Sequence, residues 1–224
     1  VDVRTFGQYI EFDSSRAVKG LSAKPKKSLI IAQKRSAGTM AANTLTRVPS
    51  YLDAQKLGGI GSILSACVKA YKANDAYTDL WAVGLADDSG GTAATGTLTV
   101  TASSAKAGTL FVYVAGVRLA VPVSDSDLAT TIAAAIVAKV TANPQLPVTA
   151  ANSSGVVTFT CRHKGTLGNQ IDLRVNHAQG EVLPSGVSVS IVAMASGATD
   201  PDVHGALDAL ADVQFDTIVC ALND

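Results

Sequence analysis

The feature that most constrains this chain is a change of hydrophobic rhythm that later reverses. Up to about residue 91 the pattern alternates between unbroken apolar runs and three-and-four spacing. Between 92 and 196 it becomes short stretches of strict alternation, and from Gly197 the first pattern returns. A pattern that is interrupted and then resumed is read most economically as one domain carrying another inside it. The outer part opens with Leu29, Ile30 and Ile31, an apolar run suited to a strand buried on both faces. Ser50 and Asp53 form a capping-box pattern for a short helix through Leu57, ended by Gly58-Gly59. Ile60, Ile63, Leu64, Cys67, Val68 and Tyr71 then make one helical stripe closed by Asn74-Asp75, and Leu80 to Ala86 reads as a second buried strand. Strand, helices and strand predict a right-handed crossover unit of a parallel or mixed sheet.

Inside the interruption, strands are expected at Thr97 to Thr101, Thr109 to Ala115 and Arg118 to Pro122, the last two joined by a tight turn at Ala115-Gly116-Val117. Asp125 or Ser126 is the expected cap of an alanine-rich helix reaching about Ala142, where Asn143-Pro144 stops it. Further strands follow at Val148 to Ala150, Val156 to Cys161, Ile171 to Asn176 and Val187 to Val192. After Gly197, Asp200 is the expected cap and Pro201 the first turn of a helix striped by Val203, Leu207 and Leu210, before a strand from Phe215 to Ala221. The fold class is therefore α+β: a mixed α/β outer domain over 21–91 and 197–224, an inserted β-rich α+β domain over 92–196, and an extended arm over 1–20. The outer domain reads as incomplete, since Thr217 to Leu222 has the composition of a core strand at the very end of the sequence.

The totals weigh against several function classes. Lysine plus arginine balance aspartate plus glutamate at 18 each, so no bulk field draws the chain to nucleic acid or an anionic membrane. Charged residues make up only 16% of the chain, which leaves few side chains for catalysis. The longest apolar stretches, such as Ala129 to Val140, fall short of a membrane span, and Val1-Asp2-Val3-Arg4 does not read as a signal peptide. Cys67, Cys161 and Cys220 are too scattered for a disulfide framework or a metal site, so a soluble protein made inside the cell with reduced, mostly buried thiols is expected.

Few residue groups could carry chemistry. Gly58-Gly59-Ile60-Gly61 precedes a helix but lacks the spacing of a dinucleotide turn and the lysine of a P-loop, so a helix-to-helix corner is expected. Asp87 and Asp88 follow a core-type strand without a partner histidine or nucleophile nearby in sequence, and read as a solvated hinge into the insertion. His163, His177 and His204 share no ligand spacing and read as surface or turn histidines. Arg162-His163-Lys164, followed by Gly165, Gly168 and Asn169, is either an anion site or a charged bend between strands. Without interleaved aromatics, the bend is favoured.

Several runs together resemble a known family: "RTFGQYIEFDSSRAVKGLSAKPKKSLIIAQK", "GGIGSILSACVKAYKAND", "LWAVGLADD", Ala93 to Val100, and "RHKGTLGNQIDLR". In collinear order they resemble the tail sheath protein of Mu-like contractile-tailed phages, and members of that family are longer than this chain. The resemblance implies the N-terminal half of a structural subunit, with no catalytic residue, no cofactor and no metal. It implies a homo-oligomer of six-fold rings in a helical sheath, with the tail tube protein, baseplate and tail terminator as partners and no nucleic acid or membrane. The place implied is the virion tail, after synthesis in the host bacterial cytoplasm. Contraction in such tails is driven by better subunit contacts in the shorter array, held back kinetically until triggering. Extended arms that add strands to a neighbour's sheet link the lattice. Carried onto this sequence, Arg4, Phe6, Gly7, Tyr9 and Glu11 form the donated arm, although the family commonly has proline where Phe6 stands. The inserted domain becomes the outward protrusion, with Arg162, His163, Lys164, Gly165 and Asn169 as a lateral contact corner. The alternatives are a carbohydrate or surface-binding module on an α/β scaffold, for which Phe111, Tyr113 and Phe159 are the available aromatics, and the sheath of a phage-derived contractile injection system.

Overall fold

The computed structural model describes residues 25–222, so the arm residues Arg4, Phe6, Gly7, Tyr9 and Glu11 lie outside the described residues. The fold class is α+β, as expected. Strand β1 (Lys27–Gln33) is buried from Ser28 onward, and β3 (Asp79–Leu85) runs parallel to it in unbroken register from Lys27 opposite Asp79 to Gln33 opposite Leu85. Between them come β2 (Leu45–Arg47), α1 (Tyr51–Gly58) and α2 (Ile63–Asn74). Near the end of the chain, β11 (Thr217–Cys220) pairs parallel with the other side of β1, giving the order β11-β1-β3-β2. The sheet is mixed, because the short β2 is antiparallel to β3.

Burial on both sides explains the apolar run. Ile30 and Ala32 pack with Leu80, Ala82, Leu64 and Val68 on the helical face, while Leu29 and Ile31 pack with Val83, Leu85 and Ala206 on the other. Ser50 caps α1 as the sequence suggests: its Oγ accepts from the Asp53 N–H at 3.2 Å and donates to the Asp53 carboxylate at 2.6 Å. Such a cap stabilises a helix by about 1 kcal/mol. The stripe of α2 starts later than expected. Ser62 caps this helix, leaving Ile60 in the preceding turn and 44% exposed.

The inserted strands are β4 (Ala93–Ala102), β5 (Gly108–Val114), β6 (Val117–Val123), β7 (Val148–Ser153), β8 (Val156–Lys164), β9 (Leu173–Val175) and β10 (Val187–Ala195), with helix α3 (Ala129–Thr141) between β6 and β7. They form two antiparallel sheets, β10-β4-β8-β7 and β6-β5-β9. Leu98, Leu110, Val112, Val121, Val157 and Phe159 fill one core between them with Ile132, Ile136 and Val140 of α3. Val114 lies opposite Val117, so Ala115 and Gly116 form the two-residue turn with positive φ that a twisted hairpin favours.

Two helix starts differ from expectation. Neither Asp125 nor Ser126 caps α3. The Asp125 carboxylate accepts from the Ala107 N–H, Asp127 accepts from Ser124, and Leu128 precedes the helix without a side-chain cap. The polar groups close the loop instead. Likewise α4 spans only His204–Asp208, because the Asp200 carboxylate is taken by the Thr166 N–H and hydroxyl. Val203 and Leu210 still face the sheet, but Leu207 is 49% exposed.

At the end of α2, the Asp75 carboxylate accepts from the N–H groups of Tyr77 and Thr78 and from the hydroxyls of Thr78 and Tyr71. These bonds, led by the Thr78 hydroxyl, hold it at about 2, below its ordinary 3.8. A depressed carboxyl stabilises the fold above its unfolded titration range and loses that contribution as pH falls towards 2. The melting temperatures of the native chain and Asp75→Asn should therefore differ by a constant amount above about pH 5 and converge as pH falls towards about 2.

Candidate hinge and interaction surfaces

Strand β8 does not stop at Cys161. It runs on to Lys164, and its buried and half-buried residues alternate without a break. Val157, Phe159 and Cys161 point inward, and the same parity turns His163 inward. This alternation was the available signal that His163 is no surface histidine. His163 is 2% exposed, and the bend begins only at Gly165, where φ is +110° and an added Cβ would meet the Asp200 carboxylate. A short 3-10 turn, Thr166–Gln170, follows.

The buried imidazole joins the sandwich to the mixed sheet. Its Nε2 accepts from the Ile63 N–H, the first residue of α2, at 3.3 Å. A backbone N–H can only donate, so the ring proton sits on Nδ1, 2.8 Å from the Asp87 carboxylate. The same carboxylate accepts from the Gln33 amide at 3.0 Å and from the Lys164 N–H at 3.3 Å, and Gln33 also donates to the Lys164 carbonyl at 2.8 Å. Asp87 is thus the acceptor at the centre of the joint, where a solvated hinge was expected. Its partners lie 54 and 76 residues away in sequence, so no local pattern could show them.

The neighbouring residues stitch the same seam. Lys164 Nζ donates to the Asp88 and Ser89 carbonyls, Thr92 bridges to Ala198, and the Asn169 amide pairs with both backbone groups of Gly197. All five corner residues are engaged within the molecule, Arg162 through Nε on the Leu146 carbonyl and Lys164 through Nζ, although these two lie half-buried on the more open side of β8. Both ring nitrogens of His163 are occupied, which leaves none for proton transfer. Burial pushes the Cys67 and Cys161 thiols up, away from the thiolate a nucleophile needs, and Cys220 is exposed rather than buried. Among the described residues, no cluster of His, Cys, Asp or Glu is placed to hold a metal, and no helix is long and apolar enough to cross a membrane.

A second surface is the outer edge of β11. All four of its residues are exposed, including Ile218 at 53% and Val219 at 38%, and no strand lies beyond it among the described residues. An apolar strand with an unpaired edge is a template for another strand.

Removing one member of the Asp87 joint leaves its buried partners unpaired. Asp87→Ala and His163→Ala should each lower the unfolding free energy by about 2–3 kcal/mol in denaturant titrations. The double variant should lose clearly less than the sum, whereas additive losses would show that the two side chains act independently.

A family model agrees with the two-sheet sandwich. Residues 89–188 match the family described as the phage tail sheath protein β-sandwich domain. The chain is 35% identical over 216 residues to the Mu-like prophage FluMu tail sheath protein of Haemophilus influenzae, a match covering 96% of this chain and 44% of that protein. The chain thus spans less than half the length of this relative. A crystal structure of a sheath tail protein from Listeria innocua aligns over 92% of this chain and 42% of its own, at 13% identity and a TM-score of 0.30. The β-sandwich is thus similar to that of phage tail sheath proteins, and the chain as a whole is similar over nearly its full length to part of a Mu-like tail sheath protein.

Proposed function

We propose that this chain is the N-terminal half of a tail sheath subunit that polymerises in six-fold rings around the tail tube and contracts to drive the tube through the host envelope. The observation that carries the reading is the 35% identity over 96% of the chain to a tail sheath protein. The role is structural rather than enzymatic. The subunit is made in the bacterial cytoplasm and works in the virion tail, between baseplate and terminator. Residues 21–91 and 197–224 form the sheath core domain, completed by the remainder of a longer polypeptide, and residues 92–196 form the outward protrusion.

Residues 1–20 act as a donated arm, in which Arg4, Phe6, Gly7, Tyr9 and Glu11 are the contact positions. The apolar edge of β11, which no strand pairs among the described residues, supports a mechanism of strand addition, because backbone hydrogen bonds give affinity with little dependence on sequence. At the RHKG corner, lateral contact falls to the guanidinium N–H groups of Arg162 that the Leu146 carbonyl does not take, since the Lys164 ammonium is already shared between the Asp88 and Ser89 carbonyls. A phage-derived injection device would use the same contacts.

The carbohydrate-binding alternative draws no support from its aromatics. Phe159 is fully buried, Tyr113 donates to Glu181 at 2.8 Å, and Phe111 lies beneath the Arg118 guanidinium at 3.9 Å. Deleting residues 1–12 from the full-length subunit should leave its circular dichroism and melting unchanged but abolish hollow tubes in negative-stain micrographs. Normal tubes from the truncated subunit would overturn the arm assignment.

A further inference from the structure

The corner Gly58-Gly59-Ile60-Gly61 seats two arginines. Arg35 Nη1 donates to the Ile60 carbonyl at 2.7 Å, and its Cβ would stand 3.0 Å from a Cβ placed on Gly59. Arg162 Nε donates to the Leu146 carbonyl at 2.9 Å, and its Cδ would stand 3.2 Å from a Cβ on Gly61. Two half-buried guanidinium side chains therefore flank one stretch of backbone. Burial, and after it the charge of Arg35, pushes the Arg162 guanidinium below its ordinary range. Among the described residues neither arginine has a carboxylate partner, and each keeps N–H groups of its fork uncommitted. Like charges held together and partly desolvated are relieved by an oxyanion placed between them.

The complementary charge lies elsewhere on the same chain. Residues 196–224 contain Asp200, Asp202, Asp208, Asp212, Asp216 and Asp224 but no lysine or arginine. Within that segment, Asp200 is engaged by Thr166, Asp202 by His204 and Asp216 by the Lys27 N–H. Asp208 and Asp212 are exposed and have no salt-bridge partner among the described residues, beside the exposed apolar side chains of Leu207 and Val213. The arginines lie with α1 and α2 on one face of the mixed sheet, and the acidic segment packs on the other, so the sheet separates them within one copy.

We propose that Arg35 and Arg162 receive a carboxylate of the Asp208–Asp212 segment from a second copy of this chain. Such a contact joins two different surfaces head to tail, and unless its rotation closes a ring it propagates as an open helix. The proposal rests on the sheath reading for the identity of the partner and adds the residues of one contact.

The test is sedimentation velocity on the full-length subunit that carries this chain, across a salt series. The native chain should self-associate at low salt and dissociate as salt rises. Arg35→Glu/Arg162→Glu and Asp208→Arg/Asp212→Arg should each weaken association on the order of tenfold or more. Mixing the two variants should restore it, because each then offers the charge the other lacks. The aspartate variant changes only exposed side chains, so it remains informative should the arginine variant misfold. Association of either variant as strong as that of the native chain, failure of the mixture to recover, or a native chain monomeric at every salt would overturn the proposal. The sheath reading is judged separately, by whether the full-length protein forms tubes.

Discussion

The Asp87 carboxylate is the constraint on which the arrangement of this molecule depends. It sits where the chain leaves β3 and accepts hydrogen bonds from the last residue of β1 and from the inward histidine of β8. One carboxylate thereby fixes the end of the mixed sheet, and through His163 the start of α2, against the sandwich. Hydrogen bonds in a half-buried site have definite directions and few alternative partners, so they set an orientation that apolar contact alone would leave to slide. The joint is nearly but not fully satisfied, since the buried Gln33 Oε1 has no partner among the described residues.

The sequence revealed most where local pattern and final environment agree. The run Leu29-Ile30-Ile31 announces burial on both faces, and Ser50 with Asp53 announces a helix start, because neither signal has a competing use. It misled where a polar side chain had two possible employments. Asp125, Ser126 and Asp200 have the composition of helix caps, yet Asp125 and Asp200 close loops with residues 18 and 34 positions away, and the helices begin without them. Strand β2 gave little warning, being three residues long and held mainly by its register with β3. The histidine of the joint was half legible. Its inward parity is written in β8, but the carboxylate awaiting it is not.

These features suit the proposed sheath role in a particular way. A subunit that changes neighbours during contraction needs a firm interior and exchangeable outer contacts. The interior here is held by three apolar clusters and a directional polar seam, while the surfaces suited to linking copies are a strand edge left unpaired among the described residues and separated patches of opposite charge. Salt-screened contacts can be released and remade at little cost, whereas buried seams cannot.

The bridge between Thr92 and Ala198 has an evolutionary corollary. Because the outgoing and returning chain lie side by side, the mixed sheet experiences the whole sandwich as though it were a single short loop. A graft can grow, shrink or be replaced at such a point without disturbing the register of β1 and β3.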